Sequence, residues 1–422
     1  MYDVIVVGCR VAGAATAMLL ARRGLRVLAV DRTSFPSDTL STHQLQVPGV
    51  ARLKRWGVLD SLIAAGTPAT RKVSFSFAGS IVRGRMPAVE GVDALYSPRR
   101  TILDSALVNS AGQAGVEVRQ RFVVERLMFD GLRVTGVAGR EKGGVLVNER
   151  ASLIIGADGK HSLVAASVGA KVKFERGALT SASYTYWEGI DLAGGEMYGL
   201  DGAAVGAWPT NDGLTMVYVA RPLPTFKASH DERVADYMNT IDRCGDLGAR
   251  ARSSRMAERV RSTIDVPNRI RRSSGNGWAL AGDAGAVMDP ITGQGMADAL
   301  RDAEFLAEAA VAGLGGSVPL WHALSRYERR RDAALRPMLR MTLRLAALRP
   351  AGAFERALFE ALATQPADAD RFFAINSGAA AQGTLFNPAS LVRLLGARRI
   401  AALLFGHRRA RVGAVDSALS TL

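Results

Sequence analysis

Three stretches of this 422-residue chain hold residue types whose spacing could do chemistry. The first, Gly8-Cys9-Arg10-Val11-Ala12-Gly13, follows an apolar run from Asp3 to Val7 and precedes a helix-like stretch, Ala14 to Arg23. At such a turn, free backbone N–H groups and the helix dipole suit a pyrophosphate, and an acid about 20 residues on suits ribose hydroxyls. Asp31 stands 23 positions after Gly8, at the end of a second apolar run, Arg26 to Val30. The second glycine of the usual G-x-G-x-x-G is missing, and Arg10 takes its place. Taken alone, the pattern fits either a dinucleotide cradle or a structural strand–helix turn. An acid there disfavours a 2′-phosphate, so FAD or NAD is preferred over NADP.

The other two stretches are Gly156-Ala157-Asp158-Gly159-Lys160-His161-Ser162 and Gly282-Asp283-Ala284 continuing to Asp289-Pro290-Ile291-Thr292-Gly293-Gln294-Gly295-Met296. Both follow apolar runs. A Gly-Gln-Gly turn opening a helix offers N–H donors and a positive dipole end to an anion. Among single side chains, His43 could titrate near neutral pH and assist proton transfer, or be an ordinary loop histidine. Tyr184, Tyr186, Trp187, Trp208 and Tyr218 could line an aromatic pocket or form sheet core. No Cys-x4-Cys redox pair is legible, and no serine–histidine–acid or metal cluster emerges from His43, His161, His230, His322 and His407. With only Cys9 and Cys244, a disulfide framework and a four-ligand zinc site are excluded.

These residues need elements to position them. Residues 3–31 read as a βαβ unit closed by Gly24. Pro98 opens a helix through Leu107. Arg121–Met128, Leu132–Val137 and Val145–Val147 read as antiparallel strands, and Ser152–Ile155 as a separate buried strand. Alternating segments fill 172–270, and Val73–Phe77 shares their texture. From Gly277 the first texture returns, with a helix from about Met296, and beyond 318 everything reads as helical.

Composition sets the class. With 48% hydrophobic and 22% charged residues the chain can bury a full core, and no apolar run reaches the roughly 18 residues of a membrane span. The net charge is +15, but 47 of the 54 bases are arginine and no nucleic-acid motif accompanies them. Nucleic-acid binding is not expected, and a cytoplasmic protein is. Arg336, Arg340 and Arg344, at spacing four, read as a solvated face or a site for an anionic partner.

In their joint order the three motifs, with Arg100-Thr101-Ile102-Leu103-Asp104, resemble FAD-dependent monooxygenases of the p-hydroxybenzoate hydroxylase type. Gly-x-Arg at the fingerprint looks like a sub-branch overlapping geranylgeranyl-reductase-like flavoproteins. The resemblance covers roughly residues 1 to 345. It implies an α/β fold: a glutathione-reductase-like, FAD-binding Rossmann domain (1–72, 98–171 and 271–345), an interleaved antiparallel β substrate domain (73–97 and 172–270) and a helical C-terminal region (346–422). It further implies that Gly8, Arg10 and Gly13 meet the FAD pyrophosphate, and that Asp31 and Arg32 lie at the adenosine ribose. Arg100 falls at the ribityl-phosphate region, Asp158 where FAD and a reduced nicotinamide both approach, and Gly282 with Asp283 at the ribityl chain. Pro290, Gly293, Gln294, Gly295 and Met296 would lie against the isoalloxazine, where N–H donors stabilise the negative charge of reduced flavin. Gly285 and Ala165 depart from a histidine and an arginine common in the family. The expected activity is hydroxylation of an aromatic or polycyclic small molecule by FAD, O2 and transient NAD(P)H. The alternative is flavin-dependent reduction of a C=C bond.

Overall fold

The computed structural model describes residues 1–141 and 143–402. His407 and the end of the expected C-terminal region, 403–422, lie outside the described residues. The main sheet runs in the order Glu117–Gln120, Val27–Asp31, Tyr2–Val7, Leu146–Gly156, Trp278–Leu280 and Ser274–Gly275. The first five strands are mutually parallel. Tyr2–Val7 and Val27–Asp31 are apolar on both faces because helices or further strands cover both, which explains their unbroken hydrophobic runs.

Register decides where the chemistry sits. Val30, Val7, Gly156 and Leu280 form one row across the sheet. Each is followed within three residues by a motif: Asp31, Gly8, Asp158 and Asp283. All four loops therefore emerge at the carboxyl edge, where parallel α/β sheets bind ligands. Behind that edge the helix Val11–Ala21 packs on the long helix Gly295–Leu314. Small buried residues, Ala14, Ala17, Ala299 and Ala303 among them, permit the close approach.

Two expectations change. Val145–Val147 and Ser152–Ile155 belong to one strand, Leu146–Gly156, which pairs antiparallel with Arg133–Arg140 at its start and parallel with Tyr2–Val7 at its end. Its exposed half alternates while its buried half is continuous, so one strand carries two textures. The second change concerns the insertion. Lys72–Phe77 does join the eight-stranded sheet of the inserted segment, but it pairs parallel with Gly195–Leu200. The ends of the segment, Val172–Arg176 and Asn268–Arg271, leave that sheet and pair with each other and with Ala286–Val287. An insertion must return its ends to one place, and this small sheet fastens them there.

Helices Leu320–Leu345, Ala353–Thr364, Pro366–Asn376 and Pro388–Leu395 follow. Phe359, Phe372 and Phe373 pack with Phe75 and Phe77, and Asp370 accepts the Arg85 N–H at 2.7 Å, so this region clasps the outer strand Ser80–Arg85. Among the described residues no helix is long and apolar enough to cross a membrane.

Candidate active site

The glycine turn is built by close approach. A Cβ on Gly13 would lie 1.7 Å from the Gly8 carbonyl oxygen, and one on Gly8, at φ +98°, would lie 2.4 Å from the Ala157 oxygen. Arg10 needs no glycine: its φ is −83°, in extended backbone open to any residue. Its guanidinium leaves the loop and pairs with fully buried Asp104 at 2.6 Å, reaching the Ser37 and Asp38 carbonyls as well. Arg100 holds the other side of Asp104 at 2.9 Å. Asp31 accepts the Cys9 N–H at 2.7 Å and both the N–H and hydroxyl of Thr33 at 2.8 Å, while Arg32 is exposed. Asp158 accepts from Ser162 Oγ at 2.5 Å and Val164 N–H at 3.2 Å, so it steadies Ser162, which caps a short helix beside Gly8.

The third loop is more open. Asp283 is enclosed deeply enough for burial to raise its carboxyl pKa, against the pull of Arg100 and Lys160. Its side chain nevertheless keeps exposed surface, and only charges, no hydrogen bonds, act on its carboxylate. A carboxylate crowded by the protein yet reached by solvent lines an open recess at this edge. Gly295 heads the 20-residue helix, is exposed, and has open space where a Cβ would stand. Gly293 takes φ +61°, and a Cβ there would lie 2.4 Å from Gln44 Oε1. Pro290 starts a short turn held by buried Asp289, which accepts from Thr180 Oγ1 at 2.7 Å. The Gln294 side chain is turned away to the Asn376 carbonyl at 2.8 Å, leaving only its backbone to the recess; Met296 is buried on the helix. Beside Gly285 the room of a larger side chain is taken by Arg331, whose Nη1 would lie 2.5 Å from a Cβ. A crowded glycine turn, a recess walled by Asp283 and a helix start with open N–H groups fit an extended dinucleotide such as FAD.

The inserted sheet faces this edge with side chains. His43, fully buried at φ +59°, lies edge-on to Tyr184 and Tyr186, with ring centroids 5.5 Å from each. Its Nδ1 sits 2.8 Å from the Ser41 carbonyl, which can only accept, so neutral His43 carries its proton there. Nε2 then accepts the Tyr186 hydroxyl at 2.6 Å. The expectation that His43 titrates near neutral pH is corrected: burial, with Arg100 and Arg99 nearby, lowers its pKa to about 4. Burial, then Tyr184 and Asp38, push Tyr186 well up, and burial takes Tyr184 to about 12. Both phenols stay protonated. The hydroxyls of Tyr184 and Tyr218, directly opposite each other in register, are buried without a hydrogen-bond partner. Trp187 faces the other side of the sheet, donating to Tyr237.

Around the pair runs a chain of ion pairs. Arg99, with its guanidinium 4.5 Å over the Tyr186 ring, pairs with Glu258; Glu258 pairs with Arg261 at 3.1 Å, and Arg261 with Asp38 at 2.6 Å. Sequence reasoning singled out His43, Tyr184 and Tyr186 separately but had no means of joining them across 143 positions. Arg99, Glu258 and Arg261 were missed, since nothing separates them from other surface arginines and acids in the string.

The comparisons support the same cofactor. Residues 1–342 match the family model described as an FAD binding domain. The digeranylgeranylglycerophospholipid reductase of Methanosarcina acetivorans is 28% identical, over 78% of this chain and 80% of its own. The p-nitrophenol 4-monooxygenase PnpA from Pseudomonas putida DLL-E4 has the same fold, with a TM-score of 0.75 at 18% identity, over 90% of this chain and 99% of that one. So does the flavin-dependent brominase Bmp2, at 0.78 and 18%, over 93% and 97%. The chain belongs to the FAD-binding family that unites monooxygenases of the p-hydroxybenzoate hydroxylase type, halogenases and geranylgeranyl reductases, and it is an FAD-dependent oxidoreductase.

Proposed function

We propose that this protein is a flavin-dependent reductase that saturates a carbon–carbon double bond in an apolar substrate, with NAD(P)H as transient electron donor. The relative from Methanosarcina, a reductase by name, supports the class. The observation that carries the reading is the buried Tyr186–His43 pair. Saturating a C=C bond takes a hydride and a proton. Bound FAD supplies hydride chemistry. Gly8, Gly13 and Asp31 would hold its nucleotide end, Arg100 and Asp283 its middle, and the 293–295 backbone N–H groups the charged edge of its ring.

The proton is the protein's part. Tyr186 keeps its own, because burial opposes ionisation. Turning the hydroxyl about its C–O bond would carry that proton away from His43 Nε2, toward a substrate carbon that gains access to this enclosed pair. Arg99 over the ring favours the phenolate left behind. Tyr184, Tyr218 and Trp208, buried in one cluster with Tyr186, would exclude water around a bond reacting there.

A second reading has its own observation. With its O–H donated to His43 Nε2, the Tyr186 oxygen keeps a lone pair for a hydroxyl on a substrate that enters this enclosed site, which suits hydroxylation of an aromatic compound with O2. An anaerobic experiment separates the two. Reduced protein mixed with an unsaturated isoprenoid lipid should reoxidise its flavin and yield saturated product without O2. Reoxidation only on admitting O2, with oxygen incorporated into the product, overturns the reductase reading.

A further inference from the structure

The helix Leu320–Leu345 divides its charges by sign. Its only two acids, Glu328 and Asp332, are buried, where both pair with Lys173 and Asp332 also pairs with fully buried Arg331 at 2.5 Å. Arg330 is tied to the neighbouring helix through Glu308, its guanidinium 3.6 Å from the Phe305 ring centroid. Arg326, Arg329, Arg336, Arg340 and Arg344 are all exposed, and among the described residues none pairs with an acid. At 3.6 residues per turn these five fall within an arc of roughly 80°, and 1.5 Å per residue spreads them over about 27 Å. They make one cationic row along the helix, with Pro337 between Arg336 and Arg340.

We infer that this row is a docking surface for an anionic lipid bilayer. A row on a convex helix cannot enclose a single headgroup, but it can lie along a plane and meet many. Arginine binds phosphate through a planar fork, and attraction to an anionic leaflet grows with each cation near the surface. Exposed Trp321 at the start of the helix, 69% accessible, has the half-apolar character that settles at headgroup depth. No aromatic lies in the row itself to stack on bases. The choice of a bilayer over other polyanions rests on the reductase reading, because an unsaturated apolar substrate resides in membranes. Docking would hold the enzyme where that substrate is.

Flotation of the FAD-loaded protein with vesicles tests this. Vesicles of equal parts phosphatidylglycerol and phosphatidylcholine should bind it at low salt and release it at high salt, and pure phosphatidylcholine vesicles should not bind it. Combined Arg336→Glu, Arg340→Glu and Arg344→Glu should lower binding at least tenfold while flavin content and turnover of a short, water-soluble unsaturated substrate stay unchanged. The charge-matched set Arg126→Glu, Arg133→Glu and Arg150→Glu, also exposed, should keep vesicle binding. Equal loss in both sets, retention by the first set, or preference for duplex DNA over these vesicles overturns the inference. Failure of C=C reduction with vesicle binding intact would instead strike the reductase reading alone.

Discussion

The two sides of the crevice are made of different material. The nucleotide side is backbone: glycines at Gly8, Gly13 and Gly293 whose neighbours leave no room for a Cβ, with Asp31 tying the turn down. The sheet side is side chain: His43, Tyr184, Tyr186 and Arg99, held by packing and an ion-pair chain. A backbone site is specified over a few consecutive residues and admits few alternatives. A side-chain site is assembled from distant segments and can be changed one residue at a time without losing the fold. The first side should therefore govern whether flavin binds, and the second what happens to it.

The broadest effect, loss of the cofactor on which every activity depends, should come from Gly13→Val. Its Cβ would stand 1.7 Å from a carbonyl oxygen of the same turn, a clash no rotamer relieves. Flavin content, read as blue absorbance per protein, should fall at least about tenfold, since the usual overpacking cost of about 1–3 kcal/mol already reaches that factor. Full flavin content in this variant would break the comparison at its first half.

Tyr186→Phe tests the other half. Flavin content should be unchanged, while turnover with reduced flavin falls by about 10²–10⁴, the range expected for a positioned proton donor. A tyrosine that only packs would give a variant with nearly full turnover, since the ring remains.

The same division explains what could be read from the string. The four loops at the carboxyl edge were legible because their signals are local: apolar strand, glycine turn, acid. So was the inserted sheet, through its alternation. The Tyr186–His43 bond was not, because it depends on how the loop at 38–43 meets a strand folded from another part of the chain. The pKa of His43 was lost with it, since burial and the approach of Arg99 and Arg100 exist only after folding. The union of Val145–Val147 with Ser152–Ile155 was hidden because one strand crosses from solvent to core midway.

His43 should also leave a mark on stability. Its pKa falls from 6.5 to about 4 on folding, so between those values the unfolded chain binds more protons. The contribution is therefore fully present above pH 6.5 and is lost as pH falls toward 4, by about 3 kcal/mol in all. Denaturant unfolding of the wild type and His43→Gln across this range should show a difference that changes by that amount. Parallel curves for the two proteins would mean that His43 titrates normally and is not enclosed as described.

The smallest effect concerns Arg10, where the two sides touch. Arg10→Gly would restore the usual second glycine, and a purely sequence-based argument expects tighter flavin binding. The structure argues otherwise. Arg10 has no positive φ to relieve, and its guanidinium shares fully buried Asp104 with Arg100 while holding the loop at Ser37 and Asp38. Removing it leaves Asp104 one partner short and adds backbone freedom to the unfolded chain, for a net loss of about 1–2 kcal/mol. Asp38 also anchors Arg261, so the loosening should reach the sheet side and raise KM for substrate more than it lowers flavin content. A variant as stable as the parent, with tighter flavin, would show that the arginine merely fills a glycine's place, and would separate the two sides that its contacts now join.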